Sequence, residues 1–384
     1  MQGTRRRKLQ EKQTKKSAKR ASLDYVFLIL VLTILTFGLV MLFSASYAYD
    51  YYHEGNSFYH ISRQLVFAIL GIVVMLVLSH IDYHIFIRFS LLIYAITLLC
   101  LVIVLFMPKM NGARRWIVVG PLTFQPSEIA KFAVAVMFAR WIELYSDKMK
   151  TFRFGIVPFI VILLPIVGLM VIEPHLSGTI LVLLMAMIMM IVGGANLKWF
   201  GVAAIAGCAL IAVVVMIPGV IPYAMSRIQY WIDPFSDAQG KGFQTIQSLY
   251  AIGTGGLMGR GLGQSRQKHL YIPEPHNDFV FSIVCEELGF VGATLIIILF
   301  VLLVWRGYVI AMRAKDKFGA ILAIGLTSQV GIQALLNIAV VTNTIPNTGI
   351  SMPFFSSGGT SLVMLLAEMG IILSVSRSST LEKE

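Results

Sequence analysis

The segment Tyr271-Ile-Pro-Glu-Pro-His-Asn-Asp278 places a carboxylate directly ahead of an apolar run that continues to Val304. Pro273 and Pro275 stiffen the approach and end any preceding helix. Asn277 or Asp278 is then placed to cap the incoming helix. Beside Glu274 and His276, and partly desolvated, Asp278 could instead hold a raised pKa and act as a general base. Helix-dipole and cationic neighbours would push the pKa the other way, and both roles stay open on these residues alone. Further along the same run are Glu286 and Glu287. At 100° per residue they lie about 80° and about 180° round a helix from Asp278, so both cannot face one site. Carboxylates inside an apolar run are costly and face a cavity or a partner.

A second constellation is Asn111-Gly-Ala-Arg-Arg-Trp116 followed by Gln125-Pro-Ser-Glu-Ile-Ala-Lys131. Ser127 reads as an N-cap, and Glu128 falls in the first turn, where negative charge is favoured. Glu128 and Lys131 are spaced i,i+3 and can pair on one helical face. An ammonium there suits a phosphate or pyrophosphate, whereas a self-satisfied structural pair is the bland alternative. Arg114 and Arg115 suit snorkelling anchors and Trp116 an aromatic belt.

Two more segments are rich in backbone freedom and hydroxyls. Gly253–Gly263 contains six glycines in eleven residues, which suits either an anion nest or a tight re-entrant turn. Just before it, Gln244, Gln247 and Ser248 sit within one or two helical turns, as sugar hydrogen-bonders or as ordinary polar loop residues. The stretch from Asn343 to Ser361 mixes Pro, Gly and hydroxyls between two apolar runs. Such backbone survives at membrane depth only when buried in protein or lining a cavity. Its Ser356, Gly358, Gly359, Thr360 and Ser361 could offer hydroxyls and N–H groups to an anionic headgroup.

These residues need a scaffold, and composition defines it. Of 384 residues, 57% are apolar and 13% charged, about half the charged share of a soluble domain. Disordered, collagen-like and disulfide-scaffold classes fail on the same numbers. Apolar runs recur at Leu23–Phe43, Leu65–His80, Ile85–Phe106, Glu128–Ile142, Phe154–Ile172, Thr179–Val192, Trp199–Ile217, Phe279–Val304, Phe318–Val341 and Ser361–Val375. The expected fold is all-α, a polytopic membrane protein of ten transmembrane helices. Residues 23–376 form the membrane domain, between a basic tail 1–22 and a C-terminal tail 377–384. The first run is too long for a signal-peptide core and reads as an uncleaved anchor.

The net charge of +12 resembles a nucleic-acid signal, but nine of the 31 Lys and Arg lie between Arg5 and Arg20. A cytoplasmic tail that sets topology and meets anionic lipid accounts for them, and no nucleic acid is expected. With that tail inside, inner segments hold about 20 Lys and Arg and outer segments about eight, in agreement with the positive-inside rule. Both termini are then cytoplasmic, and 218–277 is one large extracellular loop between helices 7 and 8. Cys100, Cys208 and Cys285 are widely spaced within apolar runs and read as core fillers. No Gly-x-x-x-x-Gly-Lys-Ser/Thr pattern occurs, so a P-loop ATPase is excluded.

Taken together, Asn111–Trp116, Gln125–Lys131, Arg227–Pro234, Gly242–Ser248, Gly253–Gly263, Pro273–Gly289 and Pro346–Ser361 resemble, in order, the SEDS family (FtsW/RodA/SpoVE). The stretch from Gly261 to Glu274, which contains Lys268, looks more like the division and sporulation branch than the elongation branch. Asn277 stands where many members have Thr, and Ser357 where many have Tyr. The resemblance implies a peptidoglycan glycosyltransferase. It would polymerise lipid II, a disaccharide-pentapeptide on undecaprenyl pyrophosphate, at the outer face of the bacterial cytoplasmic membrane or at the division septum. The reaction would invert the donor's anomeric carbon and release undecaprenyl pyrophosphate. The family's essential aspartate maps onto Asp278 as the catalytic base. Arg115 and Lys131 would neutralise the leaving group, with a divalent cation (Mg or Mn) left open and no other cofactor. Substrate contacts are expected from those two and from Trp116, Glu128, Gln244, Gln247, Ser248, Lys268, Glu274, His276, Ser356, Gly358, Gly359, Thr360 and Ser361. Implied partners are lipid II, membrane lipid, a class B penicillin-binding transpeptidase and other division or sporulation proteins. The competing functions are a lipid II flippase that makes no bonds, for which Asp278 has no obvious use, and a scaffold that recruits the transpeptidase.

Overall fold

The computed structural model describes residues 23–108, 114–120, 122–173, 175–201, 229–240 and 242–378. In chain order the helices are α1 (Tyr25–Glu54), α2 (Tyr59–His80), α3 (Ile85–Val104), α4 (Pro126–Leu144), α5 (Val157–Ile172), α6 (Leu176–Val192), α7 (Phe243–Gly255), α8 (Val280–Met312), α9 (Lys317–Val341) and α10 (Gly359–Ser378). Nine of the ten expected runs are therefore helices, and α7 lies within the expected extracellular loop. The remaining run, Trp199–Ile217, falls almost wholly outside the described residues, together with Asn111–Ala113, Arg227, Cys208 and the tail 1–22. Among the described residues, seven helical stretches are long and apolar enough to cross a membrane, α5 being counted together with the short helix Phe152–Gly155 that precedes it. Of the other two, α6 has 17 residues, and α4 carries Glu128, Lys131, Arg140 and Glu143.

Three boundaries differ from expectation by six positions or more, one of them the end of α8, which runs on from Val304 to Met312. Helix α1 does not stop at Phe43 but runs 30 residues to Glu54, about 45 Å at 1.5 Å per residue. That exceeds the roughly 30 Å hydrocarbon thickness, so its last turns extend past the apolar layer. The Asp24 carboxylate caps its start, accepting from the Phe27 N–H at 2.9 Å. Helix α2 begins at Tyr59, six positions before the expected Leu65.

The segment between α3 and α4 holds a hairpin, β1 (Ile117–Val119) and β2 (Leu122–Phe124). Their antiparallel register pairs Ile117 with Phe124 and Val118 with Thr123. Helix α9 is the bundle's centre, in contact with α4, α6, α8 and α10. Helix α10 packs along α2, where a Cβ on Gly370 would lie 2.5 Å from the Met75 carbonyl oxygen. Small residues allow such close backbone approach between helices. Helices α2, α4, α6, α8 and α10 all begin at one end of the bundle, and the polar segments gather there.

Candidate functional site

At that end lies a cavity of about 260 Å³. The hairpin delivers Arg115 and Trp116 from its leading end and Gln125 from its trailing end, and all three line the cavity. The first turns of three helices contribute next: Ser127 and Glu128 from α4, Ser177 and Gly178 from α6, Ser361 from α10. Asp278, just before α8, completes the ring. First-turn N–H groups lack partners within their own helices, and each N-terminus carries partial positive charge. Four such ends with Arg115 and Lys131 make an anion-accepting wall.

On α4 the cap position is Gln125, and Pro126 takes the first helical position, where its missing N–H does no harm. Ser127 is therefore not the cap that its type suggested. Its Oγ is buried without a hydrogen-bond partner. Glu128 and Lys131 do pair, at 2.9 Å. The Lys131 ammonium also donates to Gln333 Oε1 at 3.2 Å, so it is held from two helices at the cavity wall.

Neither Asn277 nor Asp278 caps α8: the cap position is Phe279, with no side-chain bond. Asn277 Nδ2 instead donates to Glu274 Oε2 at 2.9 Å. Asp278 is fixed through its backbone, its carbonyl accepting from Asn337 Nδ2 at 2.7 Å. The same amide donates to the Ile350 carbonyl at 2.7 Å, tying Asp278 to the loop before α10. In that loop Gly349 has φ +65°, and a Cβ there would sit 3.1 Å from Asp278 Oδ2. Burial, reinforced by Glu274, pushes the Asp278 carboxyl up to about 6, while Arg115 pulls it down. Two neighbours are shifted as well. Glu173 rises to about 8, mainly through burial. His175, which lines the cavity with a partnerless Nδ1, is lowered to about 3 by burial and then by Arg115 and Lys131.

Other expected contacts divide. Ser356 and Ser361 line this cavity, His276, Gly359 and Thr360 line a neighbouring one, and Trp116, Glu274 and Gly358 line both. Gln244, Gln247, Ser248 and Lys268 line neither. Gln244 braces two loops, donating to the Pro273 carbonyl at 3.5 Å and accepting from Asn347 at 3.3 Å. Ser248 is fully buried and donates to the Val341 carbonyl at 2.8 Å. Lys268 is buried against Glu287 at 2.9 Å, Ser44 at 3.1 Å and the Gly263 carbonyl at 2.8 Å. Its charge is satisfied inside the fold.

The glycine-rich stretch is no phosphate cradle. Helix α8 breaks at Gly289 (φ 66°), and the loop inserts into its hydrogen-bond ladder there. The Glu286 and Glu287 carbonyls accept from Arg260 and Gly261 N–H, while Phe290 and Val291 N–H donate to the Gly256 and Leu257 carbonyls. Two successive i→i−4 bonds are replaced by four bonds to the loop, which satisfies the broken helix. Both glutamate side chains then reach this one loop, contrary to the angular expectation, because the loop wraps the helix where it is broken. Glu287 accepts from Gly263 and Ser265 N–H, and Glu286 from Arg266 and Gln267 N–H.

Among the cavity residues not anticipated are Gln333, His175, Ser177 and Gly178, with Asn337 behind the wall. Gln329, Gln333 and Asn337 recur at i, i+4, i+8 in the second half of α9, which is otherwise apolar, and that was the available signal. Among the described residues no three His, Cys, Asp or Glu gather as a metal site. A Mg or Mn ion here would take most of its ligands from substrate phosphate and water.

The comparisons with known proteins agree with this architecture. Stage V sporulation protein E of Bacillus subtilis (strain 168) is 41% identical over 374 residues, covering 94% of this chain and 99% of that one. A protein named probable peptidoglycan glycosyltransferase FtsW from Geobacter sp. (strain M18) is 36% identical, covering 92% and 96%. Among solved structures, a chain from a peptidoglycan synthase complex superposes with TM-score 0.78 at 31% identity, covering 93% and 98%. Thermus thermophilus rod shape determining protein RodA does so with TM-score 0.68 at 27% identity, covering 94% and 99%. The FtsW/RodA/SpoVE model, described as cell cycle protein, matches residues 24–381, and with that extent of agreement the chain belongs to this family.

Proposed function

We propose that the protein is a peptidoglycan glycosyltransferase that polymerises lipid II at the outer face of the bacterial cytoplasmic membrane, in division or sporulation. The observation that carries this reading is the Asp278 carboxylate, fixed by its backbone and facing a cavity ringed by helix N-termini, Arg115 and Lys131. Relatives named as probable peptidoglycan glycosyltransferases support it, and the similar chain from a peptidoglycan synthase complex supports a transpeptidase partner. The cavity end would face outward, with both termini cytoplasmic, as the basic tail requires.

In this reading Asp278 takes the proton of the acceptor hydroxyl as its oxygen bonds the donor's anomeric carbon. The carbon–oxygen bond to pyrophosphate breaks on the opposite face, so the α-linked donor gives a β-1,4 product. The electron pair leaves with undecaprenyl pyrophosphate, whose growing charge meets Arg115, Lys131 and the helix N-termini. A carboxyl titrating near 6 is ionised at neutral pH yet more basic than an ordinary aspartate, as a base needs. Purified protein with lipid II and its transpeptidase is expected to form glycan polymer, and Asp278→Ala to stop it while remaining folded. Normal polymerisation by Asp278→Ala overturns the base assignment. Absence of polymer from every folded preparation, with the transpeptidase present, favours a lipid II flippase instead.

A further inference from the structure

Against the Asp278 cavity lies a second one of about 370 Å³, within the size range of ligand pockets. The segment from Glu274 to Asp278 is the partition. Asp278 opens to the first cavity and His276 to the second, while Glu274, Asn277 and Trp116 line both. A ligand in the second cavity can thus extend toward the Asp278 carboxylate.

The chemistry of the second cavity is different. Asp50, fully buried near the end of α1, accepts from the His60 N–H at 3.0 Å and from His60 Nδ1 at 2.5 Å. A carboxylate on Nδ1 fixes the tautomer and leaves Nε2 as a hydrogen-bond acceptor. The His60 ring lies 4.1 Å from that of His276, whose buried Nδ1 has no partner. Tyr49 covers His276 at 4.8 Å. Burial, then His60 and His53, lower the His276 pKa to about 3, so this ring is neutral across the physiological range. Tyr59, Phe67 and Trp116 add aromatic faces, and the charged residues in the wall are Glu54, Glu274 and Arg63 beside the paired His60. Arg63 is turned to Tyr59, donating to its hydroxyl at 3.0 Å. Among the described residues, no lysine and no α4 or α6 N-terminus lines this cavity, and its aromatic faces with fixed polar groups suit a ring bearing hydroxyl and amide groups.

The geometry points to a second saccharide subsite: this cavity holds the uncharged sugar that carries the attacking hydroxyl, with the Asp50-oriented His60 as its acceptor and His276 as its neutral wall. The assignment rests on the glycosyltransferase reading for the word "attacking", but saccharide binding itself does not. The test uses the full chain in nanodiscs and two soluble probes, a β-1,4-linked N-acetylated disaccharide without phosphate and inorganic pyrophosphate. Saturation-transfer NMR reads binding, and inhibition of lipid II polymerisation reads competition. His60→Phe is expected to weaken the disaccharide about tenfold and leave pyrophosphate within about twofold, the size of one lost oriented hydrogen bond. His60→Gln, which retains an acceptor, recovers part of the loss. Lys131→Met gives the converse pattern. No disaccharide binding by wild type, or equal binding by His60→Phe, overturns the subsite. Where His60→Phe does not fold, Glu54→Gln and Tyr49→Leu replace it under the same criteria. Disaccharide binding that depends on His60, without any polymerisation, leaves the subsite standing and removes the glycosyltransferase reading. Polymerisation without such binding does the reverse.

Discussion

Asp278 and the pair Glu286–Glu287 belong to one stretch of chain and one class of side chain, yet the fold uses them in opposite ways. The two glutamates are fully wired. Glu287 takes Ser44 at 2.7 Å, Gly263 N–H at 3.0 Å, Ser265 N–H at 3.2 Å and Lys268 at 2.9 Å. Glu286 takes the Ser265 hydroxyl at 2.5 Å and Arg266 N–H at 2.9 Å. Asp278 has its carbonyl clamped by Asn337 while its carboxylate faces a cavity. Buried carboxylates need partners; when a loop supplies them all, no lone pair is left for substrate. What separates the saturated acids from the open one is therefore their surroundings: Glu286 and Glu287 are fully buried among donors, whereas Asp278 is half-buried at a cavity and keeps hydrogen-bond capacity.

The largest expected effect falls on the open acid. Asp278→Asn should lower polymerisation by roughly 10²–10⁴-fold, the usual contribution of a general base, in a steady-state lipid II assay. Wild-type turnover should fall as pH drops through about 6, where the carboxyl takes up its proton. Stability carries the opposite sign. A carboxyl raised from 3.8 to about 6 costs the folded state stability as pH rises between those values. In detergent, Asp278→Asn should therefore gain thermal stability relative to wild type from pH 4 to pH 7. A flat rate profile across pH 6 would separate Asp278 from the proton transfer.

Glu287→Ala should do the reverse. It strands the Lys268 ammonium, 3% exposed, and breaking such a pair costs about 3–5 kcal/mol, seen as a lower yield of folded protein. The double change Glu287→Leu with Lys268→Met should recover most of it, because it leaves no buried charge alone. Turnover per folded molecule should stay near wild type; a folded Glu287→Ala that has lost turnover would erase the contrast. Asn337→Ala is intermediate. It frees the Asp278 and Ile350 carbonyls that one amide now holds, at about 1–3 kcal/mol for each group left unpaired. As a positioning residue, it should lower kcat roughly tenfold with little change in KM.

Much of this contrast was invisible before folding. Helix positions followed from apolar run lengths, and the Glu128–Lys131 pair from i,i+3 spacing, because both depend on local geometry. The convergence of Arg115, Ser127, His175 and Asp278 on one cavity depends on how distant helices pack, which no spacing encodes. Asp278 looked like a helix cap because its type and position suit one, but Phe279 holds that place. Lys268 is expected as a substrate contact only through the family resemblance, and its partner Ser44 lies far away in sequence on α1. Gln333 and Asn337 went unremarked because single amides in an apolar helix do not interrupt its periodicity. Their shared face mattered only once Lys131 and Asp278 were placed against it.

The smallest effect tests the wired side of the comparison from within one motif. Gly259 (φ +77°) and Gly263 (φ +80°) share the left-handed backbone that favours glycine, but their surroundings differ. A Cβ on Gly259 would lie 2.2 Å from the Glu287 carbonyl oxygen and 2.6 Å from the Gly289 nitrogen, both backbone atoms of the broken ladder. At Gly263 nothing lies within 4 Å, and the N–H that binds Glu287 survives replacement by alanine. Gly263→Ala should therefore cost only the conformational penalty, about 1–2 kcal/mol, while Gly259→Ala adds a clash that must move α8. Thermal unfolding in detergent should rank wild type, Gly263→Ala and Gly259→Ala in that order. The turnover of folded Gly263→Ala should be unchanged, since the loop's amides serve Glu286, Glu287 and the α8 backbone. A Gly263→Ala protein of normal stability but reduced affinity for pyrophosphate would return this loop to the phosphate-binding role that its six glycines first suggested.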